Sequence, residues 1–230
     1  AADVPDNAYH DGMDADAALE SRLVSKAIEQ SQVKVEAYNF DIRKHLVDYD
    51  DVANAHRSVI YTERRKINEG ADLKTNVLDM VHRELEDVVT NHTAARNQDN
   101  WDIDGLHAEL LTIMPLPPEL SLDNLASMTQ EELTEELIAH AEELYRLRED
   151  EVGSENMRAL ERAVMLRIID SLWVEHLTAM QNLRESIGLQ AYGQRDPLVM
   201  YRKEAHDLFE SLLDRIQHDI VHMIYHLVPV

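Results

Sequence analysis

LESRLVSKAIEQSQVKVEAYNFDIRKHLVDYDDVANAHRSVI, residues 19–60, holds neither glycine nor proline, and its apolar residues decide the fold. Leu19, Leu23, Ile28, Val35, Tyr38, Ile42, Leu46, Tyr49, Ala53 and Ile60 recur mostly at steps of three, four or seven. That period is one apolar stripe on one helix. The nearest breakers on either side are Gly12 and Gly70. Some fifty residues at about 1.5 Å each reach roughly 75 Å, beyond the usual globular range, so the stretch is expected to be a coiled-coil arm or a scaffold spine. Residues 1–20, with Pro5 and Gly12, read as a flexible N-terminal remnant.

Downstream, glycine and proline punctuate further helices. From Asp72 an apolar pattern restarts with Val77, Leu78, Val81, Leu85, Val88 and Val89, and fades by Asn100. Asp102 is placed to cap a short helix carrying Ile103, Leu106 and Leu110. Pro115, Pro117 and Pro118 make a stiff extended break. Thr129 and Glu132 have capping-box spacing ahead of a helix ending near Gly153. Two strong helices follow. Glu155 to Ile187 has a broad apolar face, with Met165, Trp173 and Met180 at packing positions. Asp196-Pro197 opens the second, which carries Phe209, with proline at its first helical position. The linker 188–195 is short, so the two are expected to be antiparallel neighbours.

The chain has 230 residues, only six Gly and six Pro, no Cys, and a formal net charge of −23. The scarcity of breakers suits an all-α fold. Disulfides and cysteine-based zinc sites are excluded. Such an acidic chain repels phosphate backbones, so no nucleic-acid partner is expected. No apolar run approaches the ~20 residues of a spanning helix, and no leader pattern opens the sequence. A cytoplasmic protein is expected.

Chemistry is sparse. No GxxxxGK[ST] loop, GxSxG elbow or cysteine nucleophile is present, so no catalytic residue is assigned. His218, His222 and His226 stand four residues apart on one helix. An i, i+4 histidine pair can chelate zinc, and Asp219 sits where an HExxH helix has glutamate. The favoured reading is a polar face near a helix C-terminus, where protonated histidine suits the dipole; metal binding is the alternative. Asp48-Tyr49-Asp50-Asp51 is an acidic knot, read as a solvated or partner-facing surface, with Lys44 four residues before Asp48. Without a glycine bend it is no EF-hand.

Asn39-Phe40-Asp41-Ile42-Arg43-Lys44, followed by Tyr49-Asp50-Asp51-Val52, resembles the NFDxRK and YDDV signature of the helical scaffold in SecA preprotein translocase ATPases. Val33-Lys34-Val35-Glu36 and Val59-Ile60-Tyr61 flank it in family order. Trp101-Asp102-Ile103 with Gly105-Leu106 resembles a block of the family's helical wing. Leu172-Trp173, Glu175-His176-Leu177 and Met180 resemble its LWxEHLxxM block, and Gln194-Arg195-Asp196-Pro197 with Tyr201 its two-helix finger.

The resemblance implies a very long scaffold helix packed with an antiparallel two-helix finger, plus a small inserted wing. Residues 21–68 and 155–230 would be scaffold and finger, and 69–154 the wing. It implies a non-catalytic coupling module linking an ATP-driven motor to preprotein and a SecYEG-type membrane channel. The motor domains, with their ATP and magnesium, would belong to the full-length parent, peripheral at the inner face of the membrane; no cofactor is expected in this chain. Asp41, Arg43, Asp48 and Asp50 would face the motor domains. Tyr192, Gln194 and Arg195 would contact preprotein or channel, Tyr192 projecting from a loop between Gly188 and Gly193. Without the resemblance, the residues also suit a freestanding helical adaptor or coiled-coil interaction protein.

Overall fold

The computed structural model describes residues 22–70, 72–190 and 196–226. Among them the regular structure is entirely helical: α1 (Arg22–Glu69), α2 (Leu73–His92), α3 (Ile103–Ile113), α4 (Leu122–Leu125), α5 (Gln130–Val152), α6 (Ser154–Gln190) and α7 (Pro197–Ile224). Single 3-10 turns occupy Gln98–Asn100 and Pro118–Leu120. No helix among the described residues is long and apolar enough to cross a membrane.

The boundaries follow local chemistry. α1 runs 48 residues and stops at Gly70, whose φ of +88° is a left-handed conformation that a side chain would disfavour. Asp72 caps α2 by accepting from the Thr75 amide at 3.1 Å. Asp102 caps α3 from the Gly105 amide at 3.0 Å. Thr129 and Glu132 complete the expected reciprocal capping box of α5. Asp196 accepts from the Leu198 amide at 2.9 Å, with Pro197 inside the first turn. The proline-rich break is extended at Pro117 and then folds into the turn Pro118–Leu120 and the short α4, two pieces that periodicity is too short to announce.

The chain divides into two compact units, residues 1–48 and 49–230. The described part of the first is the opening stretch of α1, where Ile28, Val33, Val35, Tyr38, Phe40, Leu46 and Val47 are exposed. In the second, α6 runs antiparallel to α7: Glu175 pairs with Arg215 at 3.1 Å, while Met180, Leu183 and Ile187 pack with Tyr201 and Ala205. The last third of α1 also lies antiparallel along α6. Asp50 meets Arg184 at 3.1 Å, His56 meets His176 at 3.2 Å, and Arg64 meets Asp170 at 2.7 Å. Arg162 reaches the Ile67 carbonyl at 3.3 Å.

Between these helices and α2, α3 and α5 lies one continuous core, from Ile60 and Ile67 through Val77, Leu106 and Leu137 to Ile216 and Ile224. α6 therefore faces several neighbours at once, which is why its apolar face is broad. Some apolar residues expected on these faces lie towards solvent: Leu177 of α6 at 37% exposure, and Val199 and Leu213 of α7 at 63% and 40%.

Candidate functional site

Within the first unit, Ile28, Val33, Val35, Tyr38 and Phe40 are all more than half exposed. Ile28, Val35 and Tyr38 share one face at helical spacing, and Val33 and Phe40 lie on another; isolated exposed apolar residues are ordinary, whereas contiguous patches are characteristic of interaction surfaces. Arg43 is exposed, and its Nε donates to the Asn39 carbonyl one turn back at 3.2 Å. Asp48 is half-buried. These two positions are five residues apart, roughly 140° around a helix, so they do not share one face. The side chain of Asp41 lies outside the described residues, as do Tyr192, Gln194 and Arg195.

Asp50, near the start of the second unit, is already engaged by Arg184, whose guanidinium lies 5.8 Å from the centre of the Tyr49 ring. Tyr49 meets Tyr201 edge-on at 4.6 Å. These residues, with Leu177, Met180 and Gln181, line an open groove of about 570 Å³. About two turns further along α1, His56 Nδ1 and His176 Nε2 share a hydrogen bond at 3.2 Å. Phe209 stacks on His56 at 4.2 Å, and Trp173 on His176 at 5.4 Å. Removal from water, together with the neighbouring imidazoles of His176 and His206, pushes the His56 pKa down to about 4. Burial lowers that of His176 as well. The two imidazoles, tilted to one another and each stacked on a neighbouring aromatic ring, join α1 to α6.

A second buried polar knot holds α5 to α6. Glu161 is fully buried and accepts from the Tyr145 hydroxyl. Arg158 pairs with Glu161 at 2.9 Å and with Glu149 at 3.1 Å, and Lys74 of α2 reaches Glu149 at 2.6 Å. Every charge has an opposite partner, as burial demands.

The histidine stripe is divided by its neighbours. His226 Nε2 donates to the Thr112 carbonyl at 2.8 Å. His218 and His222 turn instead to Glu84 of α2, a carboxylate only 9% exposed. His218 Nδ1 lies 2.7 Å from Glu84 Oε1, and His222 Nε2 lies 3.9 Å from the same oxygen. One ligand atom from each of the three falls within 4.8 Å of the others.

Sequence reasoning missed Glu84 and Glu161 for one reason with a readable signal. Glu84 stands seven residues after Val77 and four before Val88, and Glu161 stands four after Met157 and seven before Ile168. Each is a carboxylate on a buried stripe, where one is retained only with a partner.

The LWxEHLxxM-like block is accounted for physically: Leu172, Trp173, His176 and Met180 are buried, and Glu175 reaches Arg215. So is the Trp101–Leu106 block. Trp101 Nε1 donates to the Ala95 carbonyl at 2.9 Å, and Asp102 caps α3. A Cβ on Gly105 would fall 2.1 Å from the Asp102 carboxylate, so only glycine lets the cap close.

Comparison with known proteins agrees with this architecture. The SecA Wing and Scaffold domain family matches residues 18–228. A protein translocase subunit SecA of Dehalococcoides mccartyi is 53% identical over 216 residues, covering 94% of this chain and 23% of that protein. The SecA subunit of Roseiflexus sp. is 43% identical over 226 residues (95% and 22%). That of Caldicellulosiruptor saccharolyticus is 44% identical over 216 residues (94% and 25%). The chain thus spans about a quarter of the length of these relatives.

Proposed function

The chain belongs to the SecA wing and scaffold family, and from that premise we propose that it is the non-catalytic coupling module of a SecA-type protein-export motor. In this reading α1, α6 and α7 transmit ATP-driven movements of the parent's motor domains to preprotein and to a SecYEG-type channel. Residues 21–68 and 155–230 act as scaffold and finger, and 69–154 as the wing. ATP and magnesium act in the motor, and these 230 residues hydrolyse no ATP. The module works on the cytoplasmic side, at the inner face of the membrane.

The observation that supports the reading best is the exposed apolar run Ile28 to Phe40 on a helix whose continuation is packed. Leaving that much apolar area in water is unfavourable by about 25 cal/mol per Å², so a partner surface gains by covering it. Arg43, exposed beside the run, adds a directional charge; Asp41 and Asp48 add further charge along the same helix. Asp50 serves through Arg184, fixing where α1 meets the finger. Tyr192, with Gln194 and Arg195, acts at the finger loop, where an aromatic side chain slides over varied peptide sequences without selecting one.

The test is Arg43→Glu in the full-length parent. ATP turnover should continue while preprotein transport falls several-fold. Wild-type transport per ATP hydrolysed would refute the coupling role of this surface. Tyr192→Ala should likewise reduce transport far more than basal hydrolysis.

A further inference from the structure

Glu84, His218 and His222 come from helices that are 134 residues apart in sequence, and the coupling role makes no use of them. Their hydrogen bonding leaves an unresolved juxtaposition. Thr112 Oγ1 donates to the Glu109 carbonyl at 2.6 Å, so it is free only to accept from His222 Nδ1, 3.4 Å away. That contact places the His222 proton on Nδ1 and the lone pair on Nε2. Nε2 is buried, has no hydrogen-bond partner among the described residues, and faces Glu84 Oε1 at 3.9 Å. Two acceptors therefore face each other in a water-poor site.

We propose that Glu84, His218 and His222 form a site for one divalent transition metal of the zinc class, joining α2 to α7.

Two imidazoles and one carboxylate are a borderline-soft donor set that suits zinc rather than magnesium or calcium. Tetrahedral ligands at about 2.0–2.1 Å from a metal stand roughly 3.4 Å apart. The His222–Glu84 gap closes by about half an ångström, and the 2.7 Å His218–Glu84 contact opens by a little more. His218 Nδ1 donates to Glu84 in the absence of metal; on binding, its proton moves to the outward Nε2 or leaves to solvent. Gln217 Nε2, 3.3 Å from Glu84 Oε2, holds the carboxylate in place, and Thr112 orients His222. Glu109 of α3 and Asp219 of α7 add negative potential at the site. Glu109 itself is engaged by His92 at 2.7 Å, so the fourth position falls to water. His226, bonded to the Thr112 carbonyl, is not a ligand.

The experiment titrates zinc chloride into the 230-residue chain by calorimetry at physiological salt with excess magnesium. Cobalt chloride titration is followed in parallel by visible absorption. One zinc per chain should bind, with a rise in melting temperature and an intense tetrahedral cobalt spectrum. His222→Ala and His218→Ala should weaken binding about tenfold or more, Glu84→Gln less, and His226→Ala hardly at all. Metal-free melting curves show whether each variant is folded. If one is not, the wild-type cobalt spectrum still reports the nitrogen and oxygen ligand set. Absence of saturable binding, displacement by magnesium, an octahedral cobalt spectrum, or undiminished affinity in a folded His222→Ala chain would each overturn the proposal.

Discussion

The same helix meets two different fates along its length. From Tyr49 onward, α1 lays Val52, Ala53, His56, Ile60 and Ile67 against the other helices, and Ile60 and Ile67 are only 2% and 4% exposed. Before Asp48, Ile28, Val35 and Tyr38 repeat the same pattern and stay in water. A helical stripe records that a helix has a face to bury; it does not record whether the cover is in the same chain. The relatives are some four times longer than this chain, and in the proposed coupling role the bare stretch is the part that a partner surface would cover.

The largest effect should come from deleting equal side chains on the two stretches. Ile60→Ala should cost about 3 kcal/mol by lost transfer energy and a residual cavity. Ile28→Ala should change stability by no more than about 0.5 kcal/mol, since the exposed position gains helix propensity as it loses its methyls. Urea unfolding followed by far-UV circular dichroism reads both. A comparable loss at Ile28 would show that the first stretch is covered within this chain, and the contrast would collapse.

Acid should discriminate the two stretches almost as strongly, because the packed one contains the His56–His176 pair. The folded chain favours neutral His56, with its pKa lowered from 6.5 to about 4. Its contribution is complete above pH 6.5, falls as pH drops towards 4, and levels off below that, where folded and unfolded chains take up the proton alike. A shift of that size corresponds to about 3 kcal/mol at most. Stability measured from pH 7.5 to 4.5 should therefore fall less steeply in His56→Gln than in wild type. Identical slopes would mean that the pair is hydrated.

A smaller effect tests a packed helix end. Gly105→Ala should break the Asp102 cap of α3 by collision with its carboxylate and cost about 1 kcal/mol. A neutral result in thermal melts would show that the cap can rotate aside. The smallest effect falls at the boundary of the two stretches. Asp50→Ala should cost about 0.5 kcal/mol, because its pair with Arg184 is exposed on both sides. Arg43→Ala should cost less still, since the bond of Arg43 among the described residues is to the Asn39 carbonyl of its own helix. If Arg43 proved the more costly, the placement of the two charges would be reversed.

Much of the fold was legible because its determinants are local. Capping residues Asp72, Asp102, Thr129 and Asp196, and the breaks at Gly70 and Gly153, act within one helical turn, and all appear where their chemistry puts them. The antiparallel relation of α6 and α7 follows from a short linker. Less of the candidate site was legible. The four charges chosen on α1 were adjacent in sequence, yet Asp50 turns to Arg184 while Arg43 stays on its own helix. Three evenly spaced histidines looked equivalent, and a carbonyl of α3 takes one of them away from the other two.

The amino-acid sequence by itself determined the long helices, most of their ends, the apolar stripes and the family, since period, capping and motif are properties of neighbouring residues. Tertiary structure alone decided which part of α1 is covered. It also decided that Glu84 meets His218 and His222, and that His56 meets His176 across 120 residues. The physical reason is that burial is a property of pairs of surfaces. A carboxylate or imidazole on an apolar stripe reads the same until the packing of distant helices sets what lies opposite it and how much water remains between them.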